Sequence, residues 1–293
     1  MTLPSHDTVV TYPDGALDAT TVVLHTAPAG ESLLAIVTEQ SSFHPVDAVW
    51  PDQPADAGVI ETAHGVVPIV DAVLAATDGT ELLLGGDIPV RKGTEGWAFL
   101  VAHLVAGDAA IAEGDEVTVR ADAAARRALS IGHTACHAAS LALNAALAGH
   151  WSKPAREDAL GAPDFDGIAI ASSRIAPDSS VDVYRLNKSL RRAGFDTAAV
   201  SADVLGELAA SVTATITDWA TAGTTVHIDR DGTGLTDRRY WVAELPGGTA
   251  RIPCGGTHVG SLAELGAVRV EFEAGEDGGT PVLTMRTRVE PHR

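Results

Sequence analysis

The chain has 293 residues, 45% of them apolar and 4% aromatic, and carries a formal net charge of −19. That is enough chain for one large or two ordinary globular domains with cores of small and aliphatic side chains, and it excludes a low-complexity polymer. Two cysteines make no disulfide framework, no apolar run approaches the roughly 20 residues of a membrane-spanning helix, and Met1–Asp7 lacks the basic and apolar stretches of a signal peptide, so a cytoplasmic protein with no membrane partner is expected.

Residues 1–118 read as mostly β. Thr20–His25, Ser32–Thr38, Gly65–Leu74, Glu81–Leu84, Trp97–Leu104 and Glu116–Arg120 carry β-branched and aliphatic residues between turn signals such as Pro13-Asp14-Gly15, Asp78-Gly79 and Gly114-Asp115. Many short strands at regular spacing predict a small β-barrel-like domain. The period then changes. Ala121–Gly149 is rich in Ala, Leu and Arg, has no proline, and predicts a long helix.

Trp151–Asp166 reads as a loop, and Gly167–Ile175 and Val181–Leu186 as strands. Ser201 is expected to cap a helix continuing to about Ala222 with Leu205, Leu208, Val212, Ile216 and Trp219 on one stripe. Val226–Ile228, Tyr240–Leu245, Ala267–Phe272 and Val282–Val289 complete the strand set. The expectation is therefore α+β in two domains: a β-barrel-like domain over 1–118, and over 119–293 an α+β domain with an antiparallel sheet and a metal-binding helix.

Charge is unevenly placed. Residues 1–90 contain neither Lys nor Arg. Cations gather later, at Arg126-Arg127, at Arg185, Lys188, Arg191 and Arg192, and at Arg238-Arg239, which leaves room for a side facing a polyanion on an otherwise acidic protein.

Two short stretches carry chemistry. In Ile131-Gly-His-Thr-Ala-Cys-His137, His133 and His137 stand four apart within the predicted helix and so project from one face. In Pro253-Cys-Gly-Gly-Thr-His-Val259, a glycine-rich turn separates Cys254 from His258. If the fold joins the pairs, three imidazoles and a thiolate make a tetrahedral N/S site of the kind zinc prefers. Thr134 and Thr257, each beside a ligand, are candidates to bond a substrate or orient a histidine. Gly255 and Gly256 would permit close approach of another molecule. Cys136 reads as a small buried apolar residue.

His-Thr-Ala-x-His followed by Cys-Gly-Gly-Thr-His resembles the editing domain of alanyl-tRNA synthetase and its freestanding AlaX-type trans-editing relatives, with the threonyl-tRNA synthetase editing domain more distant. Gly114-Asp-Glu-Val117, Asp122 and Arg126-Arg127 precede the histidine pair as in those proteins. Phe43-His44-Pro45 and Gln53-Pro-Ala-Asp-Ala-Gly58 are similar to the family's Phe-Tyr-Pro and Gly-Gly-Gln-Pro-x-Asp-x-Gly segments. Here His44 replaces the tyrosine, and Pro51-Asp52 replaces the two glycines. The resemblance covers about Thr38 to Val270.

The resemblance implies a zinc-dependent hydrolase that deacylates mischarged tRNA in trans, seryl- or glycyl-tRNA for alanine. Gln53 and Asp56, with Thr134 and Thr257, would be catalytic, and Phe43, His44, Arg126, Gly255 and Gly256 would bind substrate. It implies aminoacyl-tRNA rather than DNA as partner, no synthetase activity, and a monomer or homodimer. Two other readings stay open: a metal hydrolase of small acyl esters or amides, and a non-catalytic module whose zinc is structural, since four protein ligands are the usual mark of a closed site.

Overall fold

The computed structural model describes residues 3–290 and is a mixed α+β structure with mostly antiparallel sheets. The chain divides into two compact units. The first comprises Met1–Arg127, Ile228–Arg239 and Gly255–Thr257, and the second Ala128–His227, Tyr240–Cys254 and His258–Arg293. Among the described residues no helix is long and apolar enough to cross a membrane.

The first unit begins with β1 (Val9–Val10), β2 (Asp18–Ala29), β3 (Leu33–Thr38) and β4 (Gln40–Ser41). It continues with β5 (Gly58–Thr62), β6 (Gly65–Ile69), β7 (Asp71–Thr77), β8 (Leu83–Leu84), β9 (Ala98–Ala106) and β10 (Glu116–Ala121). Eight of these strands form one sheet in the order β6-β5-β10-β2-β3-β9-β7-β8, and β1 pairs with β4 in parallel. The expected barrel is corrected here: among the described residues the sheet stays open, with β6 and β8 as edges.

The span Gly65–Leu74, expected as one strand, is two. Pro68 lacks an amide donor and lies in edge strand β6, which among the described residues pairs with β5, while β7 pairs with β9. In β2 the alternation Ala19, Thr21, Val23 buries one face. A bulge between Val23 and His25 then shifts the β2–β3 register. Phe43, Ile36, Ile60 and Phe99 centre the larger apolar core of this unit. A second cluster is built of Ala35, Val37, Ala75, Ala98, Leu100 and Ala102, as the alanine-rich composition requires.

Helix α1 (Ala123–Leu147) starts where Asp122 Oδ1 accepts the N–H groups of Ala124 and Ala125, both at 2.9 Å. The division between the units falls inside α1, after Arg127. The second unit then holds α2 (Phe165–Ala169), β11 (Ile170–Ala176), β12 (Ser179–Arg185), α3 (Lys188–Ala193) and α4 (Leu205–Thr221). Strands β13 (Val226–Arg230), which passes into the first unit at Ile228, β14 (Arg239–Leu245), which returns from it after Arg239, and β15 (Gly248–Pro253) precede the long hairpin β16 (Ala267–Asp277) and β17 (Thr280–Glu290).

Its main sheet is antiparallel in the order β11-β12-β17-β16. The stripe Leu205, Leu208, Val212, Ile216 and Trp219 is the buried face of α4, as its spacing predicts. Three elements differ from expectation. Asp164 accepts from Gly167 N–H and starts α2 where a loop and strand were expected. Asn187 caps α3 by accepting from Leu190 N–H. Gly248–Pro253 is a strand paired along β14, so the chain reaches Cys254 from a hairpin and not from a loop.

One glycine fixes the placement of the metal helix. A Cβ at Gly132 would sit 2.5 Å from the Ala176 carbonyl oxygen and 2.6 Å from that of Ser179. The α1 backbone therefore lies directly on the β11–β12 turn, one residue before His133.

Candidate metal centre

The i, i+4 spacing on α1 puts His133 and His137 on one face, with ring centroids 5.0 Å apart. From the end of β15 the chain supplies Cys254, and His258 follows four residues on. One ligand atom from each of His133, His137, Cys254 and His258 lies within 4.8 Å of every other, so the four are close enough to hold a metal ion. Cys254 Sγ is 3.2 Å from His258 Nε2 and 3.5 Å from His133 Nε2. Donors bound tetrahedrally to one zinc ion stand about 3.3–3.8 Å apart, given bond lengths near 2.0–2.3 Å. The separations and the N₃S donor set are compatible with zinc.

The surroundings of His137 favour its neutral, metal-binding form. Burial lowers His137 to about 4, so its ring is neutral at pH 7. His137 Nε2 is buried with no hydrogen-bond partner among the described residues, an orphaned lone pair of the kind a cation would occupy. Thr134 Oγ1 accepts from Val259 N–H at 3.2 Å and lies 3.2 Å from His258 Nδ1. With Nδ1–H donating to that hydroxyl, Nε2 of His258 is left facing Cys254. The wholly buried Trp241 packs against His137 at a ring distance of 5.1 Å. Trp241 carried no signal in the sequence beyond its place in an expected strand.

The other predicted site residues lie in the first unit and are occupied by the protein itself. Gln53 is fully buried; its Nε2 donates to Thr257 Oγ1 at 3.0 Å and its Oε1 accepts from Thr257 N–H at 3.1 Å. That two-point clasp holds the residue preceding His258. Asp56 accepts from His44 N–H at 2.6 Å and pairs with Arg126. Arg126 Nε bonds Asp56 Oδ1 at 2.6 Å, and its Nη2 reaches Ser42 O at 2.7 Å. Arg126 is thus the buried counter-ion of Asp56.

Phe43 is a core residue, edge-on to His103 at 5.3 Å. His44 is buried edge-on to Tyr12. Gly255 has no left-handed backbone, and its carbonyl accepts from Tyr12 hydroxyl at 3.1 Å, while Gly256 is buried. Arg239, expected in a basic pair, is buried over the Tyr12 ring. By contrast Arg185, Lys188, Arg191 and Arg192 are all exposed in the second unit.

Two buried histidines of the first unit give a pH prediction. Burial holds His44 at about 4, a shift that Asp56 opposes and that Arg126 and Arg239 reinforce. Burial likewise holds His103 at about 4, opposed by its bond to the Ile36 carbonyl. Both pKa values are depressed below the unfolded value of 6.5, so the unfolded chain binds more protons between pH 6.5 and 4. Stability is full above that window and falls as pH drops through it, by about 1.4 kcal/mol per histidine at pH 5.5 and about 3 kcal/mol at pH 4. Urea midpoints of metal-free protein at pH 7.5 and 5.5 read the effect, and His103→Asn should remove its share. Equal slopes in the two proteins would refute it.

No protein-family model matches this chain, and no curated protein matches it either. The functional reading rests on the residues and their geometry.

Proposed function

We propose that the chain is a zinc-dependent hydrolase of aminoacyl esters, similar to the AlaX-type editing proteins and acting in trans on mischarged tRNA. The observation that carries the reading is the meeting of two remote ligand pairs, His133 with His137 and Cys254 with His258, in one cluster. A bound zinc ion supplies Lewis acidity toward an ester carbonyl and toward water at neutral pH.

The chain's own residues hold and orient. Thr134 lies beside His258 Nδ1 and acts as a positioning group for that ring, while Gln53 clasps Thr257 within the first unit. Lys188, Arg191 and Arg192, exposed at helical spacing on α3, give an acidic protein a local cationic patch for a phosphate backbone, with Arg185 nearby in sequence but paired to Asp277. Four protein donors fill a tetrahedral shell, so substrate requires a fifth position or a loosened ligand. Cys254, the ligand at the mouth of a glycine turn, is only partly buried.

Single-turnover deacylation of seryl-tRNA for alanine by the zinc-loaded protein tests the proposal. Release of serine well above the buffer rate, abolished by chelation, is expected; a rate equal to buffer sinks the tRNA reading. A second reading, hydrolysis of a small acyl ester or amide, is favoured by the net charge of −19 and by carboxylates lining a cavity beside His137.

A further inference from the structure

A cavity of 450 Å³ in the second unit begins at His137 and runs along α1 past Ser140 and Leu141 to Asn144. These positions recur at helical spacing and form one wall. The end of β15, Arg251–Pro253, which leads into Cys254, forms another. Opposite lie Glu157, Asp158, Asp164 and Asp166. The cavity therefore has a metal-ligand end and an acidic end.

The acids are not equivalent. Asp158 accepts the Leu160 and Ala162 amides and Asn144 Nδ2, and Asp164 accepts from Asn144, Gly167 N–H and Arg156. Both are committed to building the wall. Asp166 accepts one bond from Tyr184 hydroxyl at 2.9 Å. Burial lifts its carboxyl to about 7, with Asp182 and Asp164 adding to the rise and the Tyr184 bond and Arg156 opposing it. This carboxyl is raised mainly by burial, next by the neighbouring acids, and a ligand cation would offset both in a lining it shares with Arg251.

We infer that the cavity binds an acyl chain ending in a protonated amine, with its carbonyl toward the metal cluster and its cation toward Asp166. The inference rests on the hydrolase reading for the carbonyl end alone. Length selects the class. Asn144 is seven residues beyond His137, two helical turns or about 10 Å along the axis. Its Oδ1 accepts the Asp166 backbone N–H at 2.8 Å, which places the start of α2 at that level, and Asp166 lines the cavity there. An α-ammonium, two bonds from an ester carbonyl, falls short of Asp166. A terminal amine on a chain of lysine's length reaches it.

Calorimetry on the zinc-loaded protein at pH 7.5 tests this with hexylammonium and 1-hexanol, which share a chain and differ in charge. Hexylammonium should bind about tenfold or more tighter, the worth of one charge-assisted bond. Asp166→Asn, which keeps an acceptor for Tyr184, should remove that advantage. Ala159→Trp, at an exposed rim position, should block both ligands. Equal affinity for the two ligands overturns the inference. So does undiminished amine binding in folded Asp166→Asn, including binding that vanishes on removing zinc, which would mark the amine as a metal ligand. Amine binding without any ester hydrolysis would leave the cation site standing and remove the hydrolase reading; hydrolysis without amine preference would do the reverse.

Discussion

Cys254→Ser protein should fold normally and lose metal affinity by about a hundredfold. Zinc binding at a protein site is worth roughly 10–16 kcal/mol, which over four ligands is about 3 kcal/mol each, or two orders of magnitude in affinity. Serine is close in size to cysteine, and Cys254 is only partly buried, so the exchange removes a donor without opening a core cavity. His133→Ala should have the same effect on metal, with an added stability cost because His133 is 2% exposed. Metal content after dialysis against a competing chelator reads the affinity, and ester hydrolysis should fall with it. Full metal retention in both variants would dismiss the cluster as a metal site. Unfolding of Cys254→Ser would favour a structural ion over a reactive one.

Arg126→Ala should destabilise the protein by about 3–5 kcal/mol. Asp56 and Arg126 are a buried ion pair, 3% and 6% exposed as residues. Removing the guanidinium strands a carboxylate with only the His44 amide to satisfy it, and deprives the Ser42 carbonyl of its donor. The double variant Asp56→Ala/Arg126→Ala should recover part of the loss, because the stranded charge goes too. Urea denaturation of the three proteins checks both statements. A single-variant cost below about 1 kcal/mol would mean that the pair is solvated and free to meet substrate, as its place in the family resemblance implies.

The same pair shows why the site was only partly legible. Asp56 and Arg126 are 70 residues apart, and no local pattern says that one neutralises the other. A charged residue beside a motif reads as a surface group, because most such residues are exposed. Only folding reveals that β5, the segment before it and the start of α1 converge. Gln53 is a second case: its amide bonds Thr257, 204 residues distant, and no local pattern shows that contact. The open sheet is another case. Strand content and turns are local, whereas closure depends on whether the first and last strands of an eight-strand order meet, which sequence spacing does not encode.

By itself the sequence determined what short-range geometry dictates. The pitch of a helix put His133 beside His137, the α4 stripe named its own buried face, and the paired spacings named the four residues that lie close enough to hold a metal ion. Tertiary structure alone decided that the two pairs meet, that Asp56, Arg126, Phe43 and Gln53 are buried supports, and that a cavity with an acidic end runs from His137. The physical reason is range. Backbone periodicity acts over one or two turns, while burial and charge compensation are set by whichever distant segments pack against a residue, and those contacts exist only in the folded chain.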